Sequence, residues 1–466
     1  MKFMKNPFII YFFFLALFSC NKIPQQEKQP NIIVIYTDDQ RYDAVGFNGN
    51  EKIITPAIDK IASRGIRFTN ANVVFSLCSP SRAALLTGRY GSANGVLQLS
   101  SNLNAGEKTV ATYLHNTGYQ TAISGKWHIG QKPDSVGFDF HVWFEGNGSY
   151  YNRLIYDMGK EIKPQIHCDE YCVNRSIDFL KDAAESGKPF FLYHNTQLPH
   201  MNGQLIWDAK PETKELYNPA VLPVALSRND DLSEKPEYLE TVRNRTQALV
   251  YGYPDSVAIQ NHTRDYYSVI TEMDNALKGL FATLDELGLW ENTYVFFMGD
   301  NGWMLGEHGF TSKVLPYQPS THVPFFVVGP GLKSGVSNSL TLNTDIAPTI
   351  LDLAGIQVPE NIHGKSLLPL FKNDTIGWRN SIIYEGLGNY GGTKPNLTVL
   401  NKKYRYIETY NDEKLDKVIF RELYDQETDT EEMKNLAQIV EFEKVVEQLK
   451  KEIENHKKII LKMDLQ

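Results

Sequence analysis

Two apolar runs lying far apart in the chain each end on a pair of oxygen-bearing side chains, and this repetition constrains the fold more than any other feature. Asn31-Ile-Ile-Val-Ile-Tyr-Thr37 leads into Asp38-Asp39, and Tyr294-Val-Phe-Phe-Met298 leads into Gly299-Asp300-Asn301-Gly302. An uninterrupted apolar run is the pattern of a strand buried on both faces, which means a parallel sheet covered by helices. Sheets of that kind place ligand sites at the carboxyl ends of their strands. Adjacent carboxylates at such an end repel each other unless a cation lies between them, and a hard divalent ion with oxygen ligands is the natural remedy. For Asp38-Asp39 alone a solvated turn is the competing reading. The second pair, Asp300 and Asn301, at an equivalent strand end turns the balance to a metal site. Asn301 in place of a further carboxylate limits the charge there, as an ion next to an anionic substrate requires.

The segments between keep the same alternation. Thr55-Pro56 with Ile58, Ile61 and Ala62 predicts a helix before a strand near Ile66 to Phe68. Val110 to Asn116 predicts another, stopped at Gly118, before a strand over Tyr119 to Ile123, and Pro189-Phe-Phe-Leu-Tyr193 is the next strand. Tyr266, Ile270, Met273, Leu277, Leu280, Leu284 and Leu287 form a helical stripe, which is core and not a cofactor site. Cys78-Ser79-Pro80-Ser81-Arg82 runs on through Ala83-Ala84-Leu85-Leu86-Thr87-Gly88-Arg89, a loop that becomes a helix. Ser79 is expected to cap it and Pro80 to take the first helical position. Cys78 then faces the positive end of the helix dipole, with Arg82 one turn along and able to fork to the same anion. Lys126 and His128 flank Trp127 in Gly125-Lys-Trp-His-Ile-Gly130, and on an extended segment they share one side. Pro199-His200 follows one strand, and Lys313 follows Leu305-Gly-Glu-His-Gly309.

These strings resemble the type I sulfatases of the alkaline phosphatase-like superfamily. The Cys78 string is similar to the family signature, and Gly125 to Gly130 to its Gly-Lys-Trp-His-Leu-Gly. Pro199-His200 is similar to Ala-Pro-His, with Leu198 replacing the alanine, and Lys313 fits the sulfate-binding lysine. Thr344-Asp345-Ile-Ala-Pro348 and His363-Gly364-Lys-Ser-Leu367 also match, so the likeness runs from about Asn31 to Leu370. It implies an α/β fold like alkaline phosphatase: a mixed, mostly parallel sheet flanked by helices, with a smaller C-terminal subdomain of antiparallel sheet plus helix. It further implies a sulfuric ester hydrolase whose Cys78 is converted to formylglycine (3-oxoalanine) by a maturase. Asp38, Asp39, Asp300, Asn301 and the modified Cys78 would hold one Ca²⁺. Arg82, Lys126 and Lys313 would neutralise the sulfate oxygens. One hydroxyl of the hydrated aldehyde attacks sulfur, and the alcohol leaves with help from His200 and Lys313. His128 then takes a proton from the second hydroxyl, which expels sulfate. One departure bears on substrate specificity: many relatives carry Glu-x-x-x-Arg before Val-Pro, whereas this chain has Gln318-Pro-Ser-Thr-His322 before Val323-Pro324.

A formal net charge of -8 gives no broad electrostatic reason to bind nucleic acid, so positive charge for an anionic substrate has to be local. Lys2 and Lys5 precede the apolar run Phe8 to Phe18, too short to span a bilayer comfortably, and Leu17-Phe18-Ser19-Cys20 looks like a bacterial lipobox. The reading is a signal peptide over residues 1–19, a lipid anchor on Cys20 and a polar tether over 20–30: an exported, membrane-anchored lipoprotein, periplasmic or at the outer-membrane surface. Cys78, Cys168 and Cys172 are then the cysteines of the mature body, too few for a disulfide framework. The catalytic domain is placed at 31–373 and the C-terminal subdomain at 374–466. In the subdomain, Tyr404 to Ile407 and Glu422 to Asp425 read as strands and Phe442 to Ile453 as a helix. Residues 201–262 read as an irregular insertion that builds a binding surface, with Trp143, Phe144, Tyr150, Tyr151 and Tyr156 as candidate platforms for sugar rings. The substrate expected is a sulfated polysaccharide or oligosaccharide, with an algal polymer such as ulvan as one candidate. Two alternatives stand beside it: a phosphonate or phosphodiester hydrolase of the same superfamily, and a non-catalytic lipoprotein that binds sulfated glycans.

Overall fold

The computed structural model describes Met1, Phe3 and residues 29–462. Apart from Met1 and Phe3, the expected signal peptide, Cys20 and the tether through residue 28 lie outside the described residues. Among the described residues no helix is long and apolar enough to cross a membrane.

Asn31–Thr37 is buried at every position and lies at the centre of a ten-stranded sheet. It pairs in parallel with Thr293–Gly299 on one side and Phe190–Asn195 on the other; Gln120–Lys126 and Phe140–Phe144 extend the parallel block. Phe325–Val328 runs antiparallel beyond Thr293–Gly299, and Ile155–Asp157 with Lys160–Ile162 forms an antiparallel far edge. The sheet is therefore mixed and mostly parallel, as expected.

The continuous apolar runs have the reason anticipated for them, because both sheet faces are covered. Ile33, Ile35 and Phe297 point into one core with Ile270, Met273, Leu277 and Leu280 of the helix Ser256–Glu286. Ile32, Val34 and Phe296 point into the other with Leu85 and Leu86 of the helix Cys78–Thr87. Each fully buried aliphatic side chain of this kind stabilises the fold by about 1.5–3 kcal/mol.

Several expectations need correction. The strand after Gly118 runs Gln120–Lys126, so Lys126 is its last residue, and His128 beyond it is left-handed (φ 60). The extended-spacing argument for the two side chains therefore fails. The long helix starts at Ser256, capped by Asp255, ten residues ahead of Tyr266 where the stripe begins. Residues 201–262 are not simply a binding surface: Leu232, Leu239 and Val242 pack with Ile407 and Tyr424 of the C-terminal sheet. The aromatic platforms are mostly core, with Phe144 and Tyr150 buried and Trp143 stacked on Tyr156 at 4.6 Å. Cys168 and Cys172 are both buried and free.

The C-terminal sheet has four antiparallel strands, Ser381–Gly386, Asn396–Asn401, Tyr404–Tyr410 and Val418–Asp425, and the helix Glu443–Ile459 packs on it through Leu449 and Ile453. The first two strands have no counterpart in the sequence reading. Gln318 to His322 faces this seam: Gln318 N donates to Glu432 Oε2 (3.0 Å), and His322 stacks on Tyr42 at 3.8 Å while its Nε2 meets Thr69 O. Of the departing residues, Gln318 thus meets the C-terminal part through its backbone N–H, whereas His322 packs against Tyr42 and Thr69 on the large-sheet side.

Candidate active site

Four neighbouring strands of the parallel block end at one place. Asp38 and Asp39 leave the Asn31–Thr37 strand, Asp300 and Asn301 leave Thr293–Gly299, Lys126 closes Gln120–Lys126, and His200 follows Phe190–Asn195 by a short loop. Backbone bonds tie these ends together: Asp300 N donates to Thr37 O (2.8 Å) and Thr196 N to Tyr36 O (3.2 Å). Gly125 lets two strands close up before Lys126, since at φ 119 a Cβ there would lie 1.7 Å from Asn195 O. The helix Cys78–Thr87 points its first residue at the cluster. Its N-cap residue is Leu77, so Ser79 and Pro80 do not take the roles expected from sequence; Ser79 Oγ donates instead to His128 O and fixes the turn that carries His128.

Every ionic residue anticipated for the site is present and buried. Cys78 Sγ lies 3.4 Å from Asp38 Oδ1, 2.7 Å from Lys313 Nζ and 3.7 Å from Lys126 Nζ. Lys126 also bonds Asp38 and Lys313 bonds Asp39. Arg82 spans Asp300 Oδ2 (2.8 Å), Asp38 Oδ2 (3.6 Å) and Lys126 O (3.1 Å). Asp39 is left-handed (φ 63); its N–H donates to Asp300 Oδ1 (3.0 Å) and its Oδ1 accepts from Asn301 Nδ2 (2.6 Å). His200 Nε2 lies 3.5 Å from Asp39 Oδ2, while Nδ1 donates to Met201 O (2.6 Å).

Three carboxylates thus share one buried space with three cations, and their ionisation is uneven. Burial alone would raise Asp38, but the charges of Lys126, Lys313 and Arg82 hold it well below the usual carboxylate range. Burial, against the pull of Lys313, pushes Asp39 up to about 6. Burial and the Asp38 charge push Asp300 up to about 7. Burial, then Asp38, raises the Cys78 thiol to about 12, so it stands as the neutral thiol. Burial and Lys126 push both His128 and His200 well below the usual imidazole range, so both rings are neutral.

The donor set fits a hard cation. Asp39 Oδ2 and Asn301 Oδ1 are buried acceptors without a hydrogen-bond partner, and Asp38, Asp39 and Cys78 bring ligand atoms within 4.8 Å of one another. Orphaned buried oxygens cost free energy unless something positive meets them.

The structure adds residues that sequence reasoning missed. Asn147 Oδ1 accepts from Lys126 Nζ at 2.7 Å although Asn147 is itself exposed, which places it at the mouth of the site. Gly146 next to it approaches His128 Nε2, 3.5 Å from where a Cβ would stand. The Gly-Asn-Gly string one residue beyond the Phe140–Phe144 strand was the available signal. Trp303 lies edge-on to His200, with ring centres 6.3 Å apart.

Comparison with known proteins agrees with this arrangement. The sulfatase family model matches residues 30–356, and a model described as N-sulphoglucosamine sulphohydrolase, C-terminal, matches 306–459. An N-acetylglucosamine-6-O-sulfatase of Bacteroides thetaiotaomicron is 28% identical over 95% of this chain and 89% of its own length. An ulvan-active sulfatase of Formosa agariphila is 29% identical over 93% of this chain and 83% of its own. The solved structure of BT4656 in complex with its substrate D-glucosamine-2-N,6-O-disulfate superposes with a TM-score of 0.82 at 28% identity, covering 92% of this chain and 98% of that one. A buried cysteine opening a helix among three cations and three carboxylates, together with a family match over most of the chain, leads to one conclusion: this protein belongs to the formylglycine-dependent type I sulfatase family and is a sulfuric ester hydrolase.

Proposed function

We propose that the protein removes sulfate from carbohydrate sulfate esters, with Cys78 as the site of the nucleophile. The observation that carries this reading is the placement of Cys78 Sγ between Asp38 Oδ1 and the ammonium groups of Lys313 and Lys126. Asp38, Asp39, Asp300 and Asn301 are the residues that would hold Ca²⁺, whose fixed double charge polarises an oxygen bound beside it. Formylglycine at position 78 supplies, when hydrated, one hydroxyl as nucleophile and a second whose proton can be removed, which a thiol cannot offer.

The chain's own residues do the rest. Lys126, Lys313 and Arg82 bind the sulfate, exchanging contacts with carboxylates for contacts with its oxygens as the charge on the latter grows. His200 and Lys313 serve the leaving oxygen. In the free protein His200 is neutral, and an anionic ester beside it raises its basicity so that it can carry the proton the alcohol needs. His128, neutral and with Nδ1 buried and unpaired, accepts the proton whose removal frees sulfate. Asn147, at the mouth, faces the sugar.

Support for a sugar substrate comes from relatives named for N-acetylglucosamine 6-sulfate and for ulvan, and from the glucosamine disulfate bound to BT4656. The phosphonate and phosphodiester alternative is not favoured, since the curated relatives named above are sulfatases. Lys2, Lys5, the apolar run Phe8 to Phe18 and Leu17-Phe-Ser-Cys20 support export and lipid attachment at Cys20, which would hold the enzyme beside polymer brought to a membrane. The test is sulfate release from a panel of N-acetylglucosamine 6-sulfate, glucosamine 2-N,6-O-disulfate and ulvan oligosaccharides, with 4-nitrophenyl sulfate and a phosphodiester alongside. Faster turnover of a panel sugar than of the phosphodiester is expected; turnover of the phosphodiester alone overturns the reading.

A further inference from the structure

The loop that carries His200 is held by a carboxylate with no part in the chemistry described above. Asp169 is the second residue of the helix Cys168–Ser186 and is 2% exposed. Its Oδ1 accepts the Gln197 amide at 2.7 Å and its Oδ2 the Leu198 amide at 2.9 Å, so both oxygens are committed to consecutive peptide groups. Capping its own helix is not its task, because His167 Nδ1 already accepts the Asp169 N–H at 3.1 Å. The carboxylate instead reaches a segment 28 and 29 residues further along the chain.

That segment is fixed from its other side as well. Leu198 O accepts from Asp38 N (3.3 Å) and from Thr196 Oγ1 (2.5 Å), and the Gln197 side chain accepts from Arg153 (3.1 Å). The Leu198 peptide is therefore gripped at its N–H by Asp169 and at its carbonyl by the backbone of a residue in the ionic cluster. His200 hangs from the same unit: His200 N donates to Gln197 O (2.9 Å), and Tyr150 OH donates to His200 O (2.7 Å). The 3.5 Å separation of His200 Nε2 from Asp39 Oδ2 is set by this frame. A displacement of a few tenths of an ångström at Leu198 passes to the imidazole, because no freely turning residue lies between them except at the cost of these bonds.

From this geometry we infer that Asp169 is a positioning residue for His200, acting on the leaving-group step and not on sulfate binding. The inference rests on the role given to His200 above. Asp169→Asn retains the shape of the side chain but turns an NH₂ group towards one of the two amides, so one peptide loses its acceptor and meets a donor. Sulfate binding is assigned to Arg82, Lys126 and Lys313, which reach this frame through the carboxylates of Asp38 and Asp39 and not through Asp169, Gln197 or Leu198, so binding of the ester is expected to change little.

The experiment is a double-mutant cycle. Asp169→Asn, His200→Ala and the pair are assayed on the panel sugar turned over fastest and on 4-nitrophenyl sulfate, with melting temperature alongside. Asp169→Asn is expected to lower kcat on the sugar by about 10- to 100-fold with KM within about twofold, and to lower aryl sulfate turnover by less than about threefold, because a phenolate needs little protonation. In the His200→Ala background the same substitution is expected to change nothing further. Losses that multiply in the double mutant, or equal losses on both substrates, overturn the inference. Should His200→Ala itself affect both substrates equally, the acid role of His200 fails, and the non-additivity alone then decides whether Asp169 acts through that ring. If the Asn variant does not fold, Asp169→Glu carries the same cycle, since it keeps both acceptors and displaces the loop by one methylene.

Discussion

Two regions of the molecule bury ionic groups at the ends of strands, and they resolve the cost in opposite ways. In the seam between the large sheet and the C-terminal sheet, opposite charges are set against each other, although Arg405 Nη2 stays buried without a hydrogen-bond partner. Arg405 Nε lies 2.5 Å from Glu432 Oε1, and Arg405 also donates to Pro316 O at 2.7 Å. Lys235 donates to Tyr424 OH and to Glu432 O, both at 2.8 Å, and Glu422 accepts from Tyr317 and Tyr424 hydroxyls at 2.8 and 2.7 Å. In the cluster around Cys78 the charges are shared among several partners. Lys313 alone reaches Asp38, Asp39 and Cys78, and Asp39 Oδ2, Asn301 Oδ1 and His128 Nδ1 are buried without a partner. In the seam the unmet atoms, Arg405 Nε and Nη2 and Glu432 Oε1, belong to one pair of opposite charges, whereas in the cluster they include oxygens of two separate residues, Asp39 and Asn301. Buried ion pairs by themselves therefore say little about function; what separates the two is where the unmet capacity lies, within one ion pair in the seam and on acceptor oxygens of different residues in the cluster.

The contrast breaks most sharply at Cys78. Cys78→Ala is expected to reduce turnover by at least about 10⁴-fold, as loss of a nucleophile does, with the melting curve unchanged because alanine suits the first turn of a helix. Turnover within tenfold of the unaltered enzyme would remove Cys78 from the mechanism. The converse variant is Arg405→Ala, which leaves Glu432 buried without its partner. It should cost about 3–5 kcal/mol of stability while folded enzyme keeps its turnover, read from denaturant midpoints and from rates at low temperature. A drop in kcat with no loss of stability would mean that the seam communicates with the site.

Chelation of Ca²⁺ tests the unmet oxygens directly. It is expected to lower activity and to lower stability by about 2.7 kcal/mol if the ion had stood at a hundred times its Kd, with full recovery on adding Ca²⁺ back. Asp300→Ala should abolish that response, and a chelator that changes neither quantity shows the oxygen set to be misassigned.

Two buried histidines, one in the large sheet and one beside the seam, carry a pH dependence. Burial holds His194 and His322 down at about 4, from the usual 6.5. Below 6.5 the unfolded chain binds protons that the folded chain refuses, so stability must fall as pH drops from 6.5 towards 4 and level off beneath it. His194→Gln should flatten part of that slope, as measured by melting temperature against pH. An unchanged slope would shift the acid sensitivity to other groups.

Strand runs with their terminal ligands were legible because burial on both faces leaves a one-dimensional mark: seven consecutive apolar or small residues followed by carboxylates. Asp38, Asp39, Asp300 and Asn301 were legible for the same reason, since each pair directly follows a strand, whereas Arg82, Lys126, His128, His200 and Lys313 were legible through resemblance to the family. Ser79 was misread as the cap because its side chain suits one, whereas in the structure it donates to His128 O. The strands Ser381–Gly386 and Asn396–Asn401 left no clear trace, as short antiparallel strands depend on their partners more than on their own pattern. Arg153 and Asp169 were invisible as site residues, because their neighbours Gln197 and Leu198 are distant in sequence and single polar residues carry no period, and Asn147 was marked only by the glycines on either side of it. By itself the sequence determined the parallel sheet, the helix that starts at Cys78 and the oxygen ligands at two strand ends, because local burial and chain direction leave their mark on those, while the cations and histidines of the centre were read through resemblance to the family. Only the tertiary structure decided which carboxylates remain unmet, which are closed into the seam, and what holds His200 in place, because hydrogen-bond satisfaction belongs to three-dimensional neighbours and not to neighbours along the chain.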